Sequence, residues 1–130
     1  MREQATSQSP EEEISAREAH ARLSAPGSEA LLIDVREPWE FQPRRAQGAV
    51  NIPLSQFMQR FAEIPRERDA LIICEHGVRS LQVVKFLARQ GYGHTLSVDG
   101  GTEMWEVAGL PMDYGDAGSQ PSMASAQDGG

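Results

Sequence analysis

One thiol, Cys74, is all that the 130-residue chain carries, so no intrachain disulfide can form and folding needs no oxidising compartment. No apolar run approaches the roughly 18 residues of a membrane span, and the opening MREQATSQSPEEE lacks the apolar core of a secretory signal. His20, His76 and His94 show no zinc-ligand spacing, so neither metal nor cofactor is implied. Basic excess is missing too: 12 Lys and Arg face 19 Asp and Glu, a net charge of −7 that argues against nucleic-acid binding through a basic surface. Residues 1–30 carry −3, residues 31–111 only −1 and residues 112–130 −3, so the acidity belongs to the ends, where it aids solubility rather than selecting a partner. No internal repeat is present. These absences predict one small cytoplasmic domain, monomeric and free of membrane and nucleic-acid partners.

Apolar runs at Leu31 to Val35, Ala49 to Ile52, Leu71 to Cys74 and Thr95 to Val98 alternate with helix-like stretches, the pattern of an α/β domain. Leu31-Leu32-Ile33 and Leu71-Ile72-Ile73 are continuous rather than alternating. Strands of that kind are covered by helices on both faces, which predicts a small, mostly parallel sheet. Ser15 and Glu18 have capping-box spacing and predict a helix running to about Leu23. After Ser80, Leu81, Val84, Leu87 and Ala88 recur at helical spacing and Gly91 follows as a C-cap residue. Shorter helices are predicted after Pro53 and from Thr102 to Val107. Residues 1–12 and 112–130, the latter rich in Gly, Ser, Gln and Asp, are expected to be flexible around a folded domain at 13–111.

The segment Leu71-Ile72-Ile73-Cys74-Glu75-His76-Gly77-Val78-Arg79-Ser80 runs from a buried strand through a short loop into a helix. Ligands of parallel α/β sheets bind at the carboxyl ends of strands, and the N–H groups of a loop leading into a helix point at an anion there. Such a field favours a thiolate, the nucleophilic form, over a thiol. The cradle comprises the loop amides from Glu75 to Ser80. Gly77 permits φ > 0 and close approach of a backbone amide. Arg79 supplies a cation and Glu75 opposes it. A lone cysteine ending a strand is commonly a small buried hydrophobe, but His, Gly, Arg and a helix start within six positions point to a reactive one. His76 either serves as a proton relay or second donor or faces solvent.

Beyond that loop, Leu32-Ile33-Asp34-Val35-Arg36-Glu37 with Glu40-Phe41, Gly48-Ala49-Val50-Asn51-Ile52-Pro53, and Asp99-Gly100-Gly101 followed by Trp105 and Gly109-Leu110-Pro111 stand in a fixed order. Together with the cysteine loop these boxes, from about Ile14 to Pro111, resemble the rhodanese-like domain family. The resemblance implies a sulfurtransferase. Cys74 would take a sulfane sulfur from thiosulfate, polysulfide or a small persulfide, hold it as a persulfide and pass it on, with Arg79 clamping an anionic donor. With no second cysteine, the acceptor must be external: cyanide, a small thiol or a protein thiol. A sulfur-relay or partner-binding module is the alternative. Related phosphatases and arsenate reductases place five residues between cysteine and arginine; here four separate Cys74 from Arg79, a smaller cradle better sized for one sulfur than for a tetrahedral phosphate.

Two departures from the family pattern bear on function. Arg44-Arg45-Ala46-Gln47 stands where the family shows Gly-His-Ile-Pro, and Arg44 and Arg45 are expected in a solvated surface turn unless they face the loop and add positive potential. Glu75, beside the nucleophile, is expected to repel a dianionic donor. Asp34 and Arg36 are assigned structural roles, the carboxylate anchoring loop amides and the arginine pairing with a nearby acid. Trp105 is expected in the core or pocket wall, Gly100-Gly101 in the turn to the last helix, and Trp39 either against the first box or at the pocket border.

Overall fold

The computed structural model describes residues 11–115 and Met123. In chain order its elements are β1 (Glu13–Ile14), α1 (Ala16–Ser24), β2 (Leu31–Asp34), α2 (Pro38–Phe41), β3 (Arg44–Ala46), β4 (Val50–Asn51), α3 (Leu54–Arg60) with a 3-10 turn at Phe61–Glu63, β5 (Ala70–Ile73), α4 (Val78–Arg89), β6 (Thr95–Val98), α5 (Gly101–Val107) and β7 (Met112–Tyr114). A five-stranded parallel sheet has the order β1-β6-β5-β2-β4, and β3 pairs antiparallel with β7 beside it.

Every residue of β2 and β5 is buried, as continuous apolar runs require. The period-two alternation of a strand divides them between two cores. Leu31, Ile33, Ala70 and Ile72 pack with Phe57, Val83, Val84 and Leu87 of α3 and α4. Leu32, Leu71 and Ile73 pack with Ala16, Ala19 and Trp105 of α1 and α5. Helices thus cover both faces. In α1 the Ser15 hydroxyl accepts from the Glu18 amide at 3.1 Å, the capping contact the spacing predicts.

Four expectations need correction. α4 starts at Val78 rather than after Ser80, and its buried stripe is Ser80, Val83, Val84 and Leu87, leaving Ala88 exposed. Tethering Ser80 to the sheet rotates the inward face by one position. Arg44 and Arg45 form a strand, not a solvated turn, because β7 supplies the partner backbone. The same pairing orders Met112–Tyr114, which lie past the expected boundary at Pro111. At the other end Glu12, expected to be loose, accepts from the Ser97 amide at 2.8 Å and pairs with Lys85 at 2.9 Å. Residues 1–10, 116–122 and 124–130, also expected to be flexible, lie outside the described residues. Among the described residues no helix is long and apolar enough to cross a membrane.

Candidate active site

Parallel neighbours end on the same edge of a sheet. Here β2, β5 and β6 present Val35-Arg36, the Cys74 loop and Asp99-Gly100-Gly101 side by side at their carboxyl ends. Cys74 follows β5 directly, its side chain only 1% exposed. Its Sγ receives the Gly77 amide at 3.1 Å and the Ser80 amide at 3.3 Å, and the thiol donates to Ser80 Oγ at 3.3 Å. That hydroxyl lies 2.7 Å from Ser97 Oγ, a fully buried group on β6. Two amides at the first turn of α4 and a rotatable hydroxyl thus converge on sulfur, an arrangement that supports negative charge there.

Gly77 is the N-cap of α4 at φ +98°, and a Cβ on it would meet the Gly100 nitrogen at 3.1 Å. Its bare Cα therefore serves two ends, the left-handed turn that aims its amide at sulfur and the close approach of the neighbouring loop. From that loop the amide and hydroxyl of Thr102 donate to the Cys74 carbonyl at 2.8 and 3.0 Å, and the Glu103 amide donates to the Glu75 carbonyl at 3.1 Å. The first turn of α5 thereby holds the cysteine loop from behind.

The charges around the loop are paired across the fold. Arg36, 1% exposed, binds the Asp34 carboxylate at 2.9 to 3.1 Å, Glu75 at 3.0 Å and the Arg44 carbonyl at 2.8 Å. Asp34 also accepts from the Arg36 amide at 2.9 Å, and burial pushes its carboxyl up against the pull of Arg36. Glu75 takes a second guanidinium, Arg44 at 3.1 Å, and Arg44 reaches Glu106 at 2.7 Å. Burial raises the Glu75 carboxyl, but Arg44 and Arg36 outweigh it and hold Glu75 below the usual carboxylate range. The acid expected to oppose a donor is therefore neutralised. Arg79 is bound in both its terminal nitrogens by Glu40, at 2.9 and 3.1 Å. These hydrogen bonds lower the Glu40 carboxyl and raise the Arg79 guanidinium.

Two residues of the loop carry solvent-exposed side chains. The His76 ring is 63% exposed and meets Glu103 at 3.1 Å, while Val78 is 71% exposed. Arg45 is buried, donates to the carbonyls of Phe41, Gln42 and Gly115 and lies over the Phe41 ring. It stitches β3 to β7 rather than facing the loop.

A family model, Rhodanese-like domain, matches residues 15–108. The chain belongs to the rhodanese-like domain family. Among its relatives, a sulfurtransferase of Allochromatium vinosum is 37% identical over 100 residues, covering 77% of this chain and 92% of the relative. A thiosulfate sulfurtransferase GlpE of Actinobacillus succinogenes is 38% identical over 84 residues, 65% and 76% of the two chains. The crystal structure of a rhodanese-related protein from Thermoplasma volcanium superposes with a TM-score of 0.71 at 28% identity, over 78% of this chain and 97% of the other.

Around the loop of this rhodanese-like domain stand three residues that sequence reasoning left without a role there, Glu40, Ser97 and Thr102, while Arg44 meets the loop through Glu75, the alternative to a solvated turn. Ser97 had one visible signal, a polar residue inside an apolar strand run. Trp105 is buried as expected, its indole donating to the Pro111 carbonyl at 2.8 Å, whereas Trp39 is 74% exposed. An apolar groove of about 310 Å³ opens between α3 and α4 beside Arg79, lined by Leu54, Phe57, Met58, Val78 and Phe86 among others.

Proposed function

We propose that this rhodanese-like domain is a sulfurtransferase that moves sulfane sulfur through a persulfide on Cys74. One observation carries the reading: the amides of Gly77 and Ser80 and the Ser80 hydroxyl all lie within 3.3 Å of Cys74 Sγ at the carboxyl edge of the sheet. In the loading step the thiolate attacks the outer sulfur of thiosulfate, the S–S bond breaks and sulfite leaves with the bonding pair. A protonated persulfide R–S–SH reacts likewise and releases R–S⁻. The resulting Cys74 persulfide is soft and anionic, and the Gly77 and Ser80 amides at the start of α4, with the helix dipole behind them, favour negative charge beside Sγ. In the second step cyanide or an external thiolate attacks the outer sulfur, and Cys74 returns as a thiolate.

In this assignment Glu75, His76, Gly77, Val78, Arg79 and Ser80 form the donor-binding loop. Asp34 and Arg36 brace it from β2, with Arg79 meeting an anionic donor. A lone reactive thiol suits a reducing cytoplasm. A second reading is a relay module that loads sulfur and delivers it to a protein thiol, which the apolar groove beside Arg79 favours.

The test is intact mass after incubation with thiosulfate or an organic persulfide, on the natural protein and Cys74→Ser. The expected result is a gain of one sulfur, removed by cyanide or thiol and absent in the variant. A free, alkylatable Cys74 that gains sulfur from neither donor refutes the proposal.

A further inference from the structure

At the sheet edge three guanidinium groups, Arg36, Arg44 and Arg79, share four carboxylates, Asp34, Glu40, Glu75 and Glu106. Arg36 is buried between Asp34 and Glu75, and Arg44 bridges Glu75 and Glu106. Arg79 differs. It belongs to the cysteine loop, its side chain is 36% exposed, and Glu40 is its one side-chain partner among the described residues, bound through both oxygens. Glu40 is itself held: its Oε1 accepts from the Glu37 amide at 3.0 Å, fixing the carboxylate in the first turn of α2. A compact dianion approaching Cys74 therefore meets an arginine already neutralised by a rigid acid, in a neighbourhood with more carboxylates than guanidinium groups.

We propose that Glu40 is a positioning residue for donor specificity: by occupying Arg79 it disfavours thiosulfate and turns the loading step toward organic persulfides of low charge. The inference rests on the sulfurtransferase reading and specifies its donor. Both donors load by the exchange written above, thiosulfate losing sulfite and the persulfide losing a thiolate. They differ in charge. Thiosulfate brings two negative charges on a small body and must displace Glu40 to gain Arg79, whereas the persulfide of 2-mercaptoethanol carries one charge at most and needs no guanidinium.

The experiment compares second-order rate constants of sulfur loading, read by intact mass, for thiosulfate and for the persulfide of 2-mercaptoethanol. Four proteins are used: the natural chain, Glu40→Gln, Arg79→Gln and the double variant. Glutamine keeps an oxygen for the Glu37 amide while removing the charge and, because its NH2 cannot accept, one of the two bonds to Arg79. The expected result is a roughly three- to tenfold rise in the thiosulfate-to-persulfide ratio in Glu40→Gln, the size of one partly exposed charge interaction. The rise is expected to shrink at high salt and to vanish when Arg79 is already Gln. A purely structural role would move both donors together. An unchanged ratio, or the same rise without Arg79, overturns the inference while leaving the sulfurtransferase reading intact. Loading from neither donor in the natural protein overturns both.

Discussion

Replacing Gly101 by alanine tests how the last helix positions the cysteine loop. Gly101 sits at φ +62°, and a Cβ there would lie 2.6 Å from the Glu75 carbonyl carbon and press on the carbonyl oxygens of Cys74 and Glu75. The left-handed backbone costs about 1 kcal/mol for a residue bearing a Cβ. Forcing rigid backbone apart adds about 1–3 kcal/mol, and it strains the Thr102 and Glu103 hydrogen bonds that hold the loop. Gly109 is the matched control, with φ +75° and nothing within 4 Å of a Cβ. Gly109→Ala should therefore cost only the backbone part, about 1 kcal/mol. The difference of about 2 kcal/mol corresponds to roughly 8–16 °C in Tm for a domain near 100 residues. The assay is thermal denaturation of both variants, with sulfur loading of Cys74 measured at a temperature where both remain folded. Gly101→Ala should unfold earlier and load more slowly, and Gly109→Ala should load normally. Equal losses of stability in the two variants would refute the close contact between α5 and the loop.

Acidification should unmask the Glu75 pairs. A carboxylate whose folded pKa is lowered, as Glu75 is by Arg44 and Arg36 against the pull of burial, stabilises the fold above its unfolded value of about 4.3. That contribution fades as pH falls through the folded value. Glu75→Gln should thus cost about 1–3 kcal/mol at pH 7, and its deficit against the natural protein should shrink below pH 4.3 in urea titrations; a deficit independent of pH contradicts the ion-pair account. Arg45→Ala should release β7, because the carbonyls of Phe41, Gln42 and Gly115 lose a charged donor. A loss of about 2–3 kcal/mol should come with faster amide exchange across Met112–Tyr114, and unchanged exchange there would contradict the stitching role.

The reading of Glu75 shows where local sequence misleads. An acid next to a nucleophile suggests repulsion, yet its carboxylate is paired with Arg36 from 39 positions away and Arg44 from 31. Arg44 and Arg45 read as a polar turn because the backbone that completes their strand lies past Pro111. Arg79 was legible as the cation of the loop, but not as one already bound by Glu40, 39 positions earlier.

What was written in the chain alone is what depends on near neighbours. Continuous apolar runs at Leu31 and Leu71 specify buried parallel strands, Ser15 and Glu18 a helix start, and Gly77 the left-handed turn that aims an amide at Cys74. Each follows from periodicity or backbone sterics within a few residues. The pairing of Arg79 with Glu40, the buried contact of Ser80 with Ser97 and the strand formed by Met112–Tyr114 arise only once distant segments are adjacent. Sheet order and helix packing select those neighbours, because a charge or hydroxyl gains its partner from the elements beside it in space, and no local pattern in the chain encodes that adjacency.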